Sequence, residues 1–343
     1  MFAIKEGCRA APYFKGWPAA GDGNSVGVNN LGTLMPRLRH ALVAAATRRY
    51  PFLSGCASLA NSSLMGKIVG RDAGSVWCKV PGGDVLASLD DFVGRSAFLF
   101  GDLDRKVTAL VRAWVRPGDI AVDIGANIGI VTQGMAKLVG TSGRVHAFEP
   151  NPVLTDRIAA ASERNGHRCV TLHRHALGDK ERLMRLSVPR NNFGQGSLVW
   201  EGVVGFRDDY DVPVRRLDEV LPLDTRIRFV KIDVEGFEAS VLEGARALVE
   251  RNAPDAILFE IFDRPDLTPS ADPAIQLLSQ YGYHFYSIDR TLMRLTLRPF
   301  DPAEPGKLPC HDLLAVHAHS RELPQVVLRA KRRRNAQSAR PRL

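Results

Sequence analysis

The sequence predicts an α/β protein: an open, mostly parallel sheet with helices on both faces, preceded by a small β-rich and helical N-terminal region. Three observations carry this. Apolar runs of strand length alternate with amphipathic runs of helix length from residue 120 to 175, and again from 229 to 288. The first strand ends on an acid and breaks into a glycine turn, Val122-Asp123-Ile124-Gly125-Ala126-Asn127-Ile128-Gly129. The helix-to-strand joints carry Gly140, Gly143 and Gly166, where a helix C-terminus favours positive φ. Strands and helices alternating at this length pair in parallel through right-handed crossovers.

Taken in order, Gly16 to Gly32 reads as loop, and Leu34 to Tyr50 places Leu34, Leu38, Leu42 and Val43 at helical spacing, with Pro51 as a stop. Residues 67–89 hold short β-rich pieces between Gly-Arg-Asp and Pro-Gly-Gly turns, the pattern of a small antiparallel sheet. Asp104 to Val115 puts Val107, Leu110, Val111 and Trp114 on one helical face. Strand 120–124, helix 129–139, strand 144–149, helix 153–165 and strand 168–175 follow. The alternation is then interrupted by strands at Leu183 to Val188 and Asp211 to Arg216, which flank a polar loop, Asn191 to Ser197. Parallel strands resume at Phe229 to Val234, followed by one helix from Glu238 to Arg251 and a strand from Ala256 to Ile261. Helix 271–281, strand 283–288 and late strands at Leu292 to Leu297 and Asp312 to Val316 close the sheet. The expected divisions are an N-terminal loop and helix (1–60), a β-rich lead-in (61–95), the main α/β domain (96–320) and a basic tail (321–343).

Apolar residues make up 45% of the 343, enough for a sizeable core, and no apolar run approaches a membrane span. The first residues lack the basic, apolar and small-residue order of a leader, so a cytoplasmic location is expected. Cysteines at 8, 56, 78, 169 and 310 are odd in number and scattered, which predicts reduced thiols and no metal site. Of the net charge of +9, seven positive charges lie in residues 329–343, which contain no acid. The basicity therefore belongs to a tail that reads as a solvated end, and the body lacks the basic, aromatic-lined groove of a nucleic-acid enzyme.

Chemistry gathers at strand ends, where open α/β sheets bind ligands. Gly125 and Gly129 let backbone come close to a ligand. The dinucleotide fingerprint would need glycine at 127 and 130, where Asn127 and Ile130 stand, and Asp123 would repel a pyrophosphate. S-adenosyl-L-methionine, with its sulfonium and ammonium, tolerates that acid. Glu149, closing the next strand, can accept both ribose hydroxyls. Asp233 and Glu235 end a central strand and face the same crevice, where a carboxylate can take the proton of a hydroxyl undergoing methylation. His175 lies near the crevice and can assist acid–base work, whereas His146 reads as a core residue. Asn192, Phe193 and Ser197 sit on the polar loop, the expected place for substrate contacts.

These residues resemble the FkbM family of S-adenosylmethionine-dependent methyltransferases. The matching pieces are Arg116-Pro117-Gly118-Asp119, Val122 to Gly129, Ala147-Phe148-Glu149-Pro150-Asn151, Ala176-Leu177-Gly178-Asp179, Gly194-Gln195-Gly196-Ser197 and Val230-Lys231-Ile232-Asp233-Val234-Glu235-Gly236. The likeness covers residues 82–290. It implies a class I, Rossmann-like methyltransferase sheet of seven strands, the last antiparallel, and O-methylation of a hydroxyl on a sugar, glycan or specialised metabolite. By position it implies that Asp123, Gly125 and Asn127 surround the methionine part, that Leu177 and Asp179 border adenine, and that Asp233 and Glu235 face the reacting centre. Leu103-Asp104 stands where family members usually carry an aromatic residue followed by Glu. The alternatives are an RNA methyltransferase anchored by the basic tail, and a non-catalytic protein that only binds S-adenosyl-L-methionine.

Overall fold

The computed structural model describes residues 40–320, apart from 41, 54, 70–73, 190–195, 199–206, 253, 262–267, 292–293 and 305–310. The first six residues of the helix expected from Leu34, the loop residues Asn192 and Phe193, and the basic tail lie outside the described residues. Chain order is α1 (42–47), α2 (Cys56–Ala60), α3 (Ser63–Val69), β1 (Ser75–Val80), β2 (Gly83–Ser88), α4 (Phe92–Phe100) and α5 (Arg105–Trp114). Then come β3 (Ile120–Ile124), α6 (Ile130–Val139), β4 (Arg144–Phe148), α7 (Pro152–Asn165), β5 (Val170–His173), β6 (Ala176–Leu177), β7 (Arg182–Pro189) and β8 (Arg207–Arg215). The chain continues through α8 (Leu217–Val220), β9 (Ile227–Ile232), α9 (Glu238–Glu243), α10 (Arg246–Asn252), β10 (Ala256–Glu260), α11 (Pro273–Gln280), β11 (Tyr283–Arg290), β12 (Leu295–Phe300) and β13 (Asp312–His317).

The main sheet has the order β12-β11-β13-β10-β9-β3-β4-β5. Strands β5, β4, β3, β9 and β10 run parallel, and the chain order reverses between β3 and β9. Strand β13 enters antiparallel between β10 and β11. This is an open, mostly parallel sheet whose last strand in chain order runs antiparallel, as the resemblance implies. The implied seven strands become eight, because Leu295–Phe300 pairs antiparallel with β11 and extends the edge. A three-stranded sheet, β6-β8-β7, and the β1–β2 hairpin stand apart from it.

Both faces of the main sheet are covered, so its central strands are apolar throughout. On one face Trp114, Met135, Phe229, Leu258 and Leu314 pack with α5 and α6. On the other, Phe148, Val230, Phe259, Val241 and Leu278 pack with α9, α10 and α11. The alternation of strand residues assigns Lys231 to the α5–α6 face with Phe229, and Asp123 with Ala121. Helices start on side-chain caps: Asp104 accepts from Lys106 N–H at 2.8 Å, Asn151 from Val153 N–H at 2.9 Å, and Asp272 from Ala274 N–H at 2.8 Å.

Several expected elements come out differently. The single helix expected from Glu238 to Arg251 is two, because at Gly244 the chain passes so close to Gly178 that a Cβ would lie 1.9 Å from its carbonyl oxygen. The strand expected over 168–175 ends at His173, and Ala176–Leu177 pairs with β8 in the second sheet. Residues 67–69, expected as β-rich, finish α3. Helix α4 had no sequence signal: its residues are buried all round, so no polar stripe marks its period, and the expected boundary at residue 95 falls inside it.

Candidate functional site

The reversal between β3 and β9 opens a cleft at the C-terminal ends of the parallel strands. Its floor is the turn after β3. Gly125 and Ala126 both donate their N–H groups to Phe148 O at 3.0 Å, which bends the turn over the end of β4. Asn127 takes φ 55°, the left-handed region open to asparagine, and its Oδ1 accepts from Ile128 N–H at 2.7 Å.

Glu149 fastens two loops. Its Oε2 accepts from Asn127 N–H at 2.8 Å and its Oε1 from Asn151 N–H at 2.9 Å. The residue is 6% exposed yet lines the cleft. Burial pushes its carboxyl up to about 7 against the pull of the two amides. Ile124, Phe148, Pro150, Leu177 and Phe237 supply flat apolar walls beside it, and Leu186 and Leu198 reach in from the second sheet and its loop.

The acids after β9 line the same cleft. Asp233 donates its N–H to Ile124 O at 3.1 Å, so the end of β9 is tied to the end of β3. Its carboxylate, 48% exposed, pairs with Lys231 Nζ at 3.2 Å. Glu235 sits at φ 52°, an uncommon conformation for a long side chain. Burial, followed by Asp233 and Glu238, pushes its carboxyl up to about 7. His175 lines the cleft and donates from Nδ1 to Ala176 O at 3.0 Å, leaving Nε2 as acceptor, and burial pushes it below the ordinary histidine value.

The cleft thus gathers Gly125, Asn127, Glu149, His175, Leu177, Asp233 and Glu235. Four expected contacts are placed elsewhere. Asp123 is fully buried beneath the turn, where Thr132 Oγ1 donates to it at 2.6 Å and Lys231 Nζ stands 3.5 Å away. The reason is local: its side chain follows strand alternation into the α5–α6 face, so it does not line the cleft that would hold the methionine part. Asp179 turns outward and is taken by Ser240 Oγ at 2.8 Å and Arg182 at 2.9 Å, away from the space beside Leu177. Gly129 caps α6 against Ile158 at φ 86° and lines no part of the cleft. Ser197 is buried, and its Oγ donates to Glu235 O at 3.3 Å, so it supports the acid's backbone.

Sequence reasoning assigned no role to Lys231 or Glu260. Lys231 was visible as a lysine in an apolar strand, two residues from Asp233, where burial demands partners. Glu260 carried the same mark as Asp123 and Glu149, an acid ending an apolar strand. Burial first, then Asp233 and Asp312, pushes its carboxyl up to about 8.

The donor set fits a cationic nucleoside ligand. Glu149, Asp233 and Glu235 offer acceptors for hydroxyls and an ammonium, and the buried Lys231 lies behind them, so a diphosphate would meet carboxylates.

Three raised glutamates also set a pH response. A glutamate raised from 4.5 adds stability that is full below 4.5 and is lost as pH rises through its folded value, here about 7 for Glu149 and Glu235 and about 8 for Glu260. His146 and His173, both pushed down to about 4 by burial, and His167, His175 and His317, also pushed down, lower stability as pH falls through their ordinary 6.5. Between pH 6.5 and 8 they offset only part of the glutamate effect, near the start of the interval. The unfolding free energy of the ligand-free protein, read from urea titrations, should therefore drop over that interval, by at least about 1 kcal/mol once the partial exposure of Glu235 and Glu260 is allowed for, with the urea midpoint falling accordingly. A midpoint that stays level or rises would remove this account of the acids.

Residues 123–285 match the family model described as the Methyltransferase FkbM domain. No curated protein sequence matches the chain. Among solved structures, the chain is similar to methyltransferase FkbM from Methylobacillus flagellatus, at 17% identity and TM-score 0.35, over 66% of this chain and 53% of that one. The chain thus spans about half the length of that relative. A precorrin-6y C5,15-methyltransferase from Geobacter metallireducens matches at 16% identity and TM-score 0.35, over 63% of this chain and 88% of that one. A SAM-dependent O-methyltransferase from Thermotoga maritima matches at 15% and 0.35, over 64% and 66%.

Proposed function

We propose that this chain, which carries an FkbM methyltransferase domain over residues 123–285, is an S-adenosyl-L-methionine-dependent O-methyltransferase acting on a hydroxyl of a sugar, glycan or specialised metabolite. The observation that supports it most is the shared cleft: Glu149 at the end of β4 and the Asp233–Glu235 pair after β9 open onto one space.

When bound, S-adenosyl-L-methionine supplies an electrophilic methyl group on sulfur. Glu149 accepts the ribose hydroxyls with the lone pairs that the Asn127 and Asn151 amides leave free. Phe148, Leu177 and Phe237, which line the cleft, would flank adenine, and the Gly125–Asn127 turn would carry the methionine part. Asp233, open to the cleft, would take the proton of the acceptor hydroxyl as that oxygen is methylated. Glu235, poised near neutrality, passes protons between that carboxylate and solvent. His175 offers Nε2 as a hydrogen-bond acceptor at the wall of the cleft.

Calorimetry with the full chain tests this first. S-adenosyl-L-methionine and its demethylated product S-adenosylhomocysteine should both bind with micromolar affinity. Absence of heat from folded protein would overturn the reading. Incubating the protein and labelled methyl donor with cell extracts, then following label into small molecules, glycans and RNA, identifies the acceptor class. Label in an alkali-stable methyl ether is the expected outcome, and label confined to RNA would overturn the proposed class.

A further inference from the structure

We propose that Lys231 is a positioning residue that singles out Asp233, among the carboxylates at the end of the sheet, to receive the acceptor's proton. The inference rests on the reading that Asp233 faces the acceptor. An ammonium group carries three donors. Around Lys231 Nζ stand three oxygens: Gly125 O at 2.8 Å, Asp233 Oδ2 at 3.2 Å and Asp123 Oδ1 at 3.5 Å. The lysine side chain is 8% exposed and that of Asp123 is fully buried, whereas Asp233 opens to the cleft. One cation thus serves two carboxylates, one as a buried counter-charge and one at the working surface. The same cation holds the carbonyl of the turn on which the cofactor lies.

The other acids facing this centre have no cation in contact with them. Glu149 follows β4, Glu235 precedes α9, Glu238 begins it and Glu260 ends β10; none of these four forms an ion pair among the described residues, and Lys231 reaches Glu149 and Glu235 only at longer range. Asp312, on β13, pairs with Lys106 of α5, which also meets Asp104. In a site of low polarity, several close carboxylates cannot all ionise. Burial pushes Glu235 and Glu260 up to about 7 and about 8, and it works to strip the proton from Lys231. Asp233 and Asp123 outweigh that and keep the lysine charged. Replacing it would leave two carboxylates around one vacated point, and a proton would take its place.

The test is a count of protons exchanged on ligand binding, from calorimetry at pH 7 in buffers of different ionisation heat. Lys231→Met should release roughly one more proton than wild type on binding S-adenosyl-L-methionine, because a cation then replaces the proton held by the carboxylates. The excess should be smaller with the uncharged thioether S-adenosylhomocysteine. Lys231→Met/Asp123→Asn removes the buried acid with the lysine and should fold even where the single variant does not, with a smaller excess, because one carboxylate is left where two would share the proton. A folded Lys231 variant that releases no more protons than wild type would overturn the proposal, as would failure of both Lys231 variants to fold, since the lysine would then be a folding element. Failure of wild type to bind either ligand is a separate result and strikes the methyltransferase reading itself.

Discussion

Gly125→Ala is expected to abolish measurable binding of S-adenosyl-L-methionine and to lower stability by about 3 kcal/mol or more. Gly125 has φ 75°, and a Cβ there would lie 1.9 Å from the carbonyl oxygen of Asp233 and 2.9 Å from its carbon. The obstacle is backbone and cannot rotate away. Neither side can yield cheaply. Gly125 is held by its N–H to Phe148 O and by its carbonyl to Lys231, while Asp233 is held by its N–H to Ile124 O. Making room means parting β3 from β9 at the floor of the cleft, which separates the turn from the acids. Gly134→Ala is the control. Nothing lies within 4 Å of a Cβ there, and alanine in the interior of α6 should stabilise by up to about 1 kcal/mol with ligand affinity unchanged. Urea unfolding and calorimetry on both variants read the contrast. Near-normal binding by Gly125→Ala would show that the turn does not carry the ligand.

Glu149→Gln should weaken the same ligand at least hundredfold, about 3 kcal/mol. A glutamine offers one oxygen, whereas the native carboxylate accepts one N–H on each of two oxygens and still has lone pairs for ribose. Whichever way the amide turns, its NH2 faces a backbone N–H of Asn127 or Asn151, so one buried donor loses its acceptor at about 1–3 kcal/mol. The hydroxyl contacts lose their charge as well. The pH response separates this from mere loosening. Because burial holds the Glu149 carboxyl near 7, wild-type affinity should rise as pH increases through about 7, when the acid ionises and can accept from both hydroxyls. In the glutamine variant that rise should vanish. An affinity that depends on pH equally in both proteins would assign the titration to Glu235 instead.

Much of the scaffold was legible because the relevant signals are local. A period of two or 3.6, a glycine at a helix end and an acid at a strand end can each be read within about ten residues, and they placed β3, α6, β4, α7, β9 and β10 within two or three positions. The same locality identified Glu149, Asp233 and Glu235 as residues at the mouth of the sheet. Where the local signal was silent or double, the reading faltered. Helix α4 is buried nearly all round, and the room for Gly244 is limited by Gly178, which is distant in sequence.

The chain alone settled which chemistry could assemble: a strand–glycine turn–helix unit, acids at the ends of neighbouring strands and no phosphate-binding lysine loop. Which acid meets a ligand was settled by packing. Alternation turns Asp123 into the α5–α6 face, Ser240 and Arg182 draw Asp179 outward, and Lys231, 106 residues from Gly125, joins the turn to Asp233. The physical reason is that a carboxylate's role depends on what replaces water around it. That replacement is made by residues distant in sequence, which only folding brings within 3.5 Å.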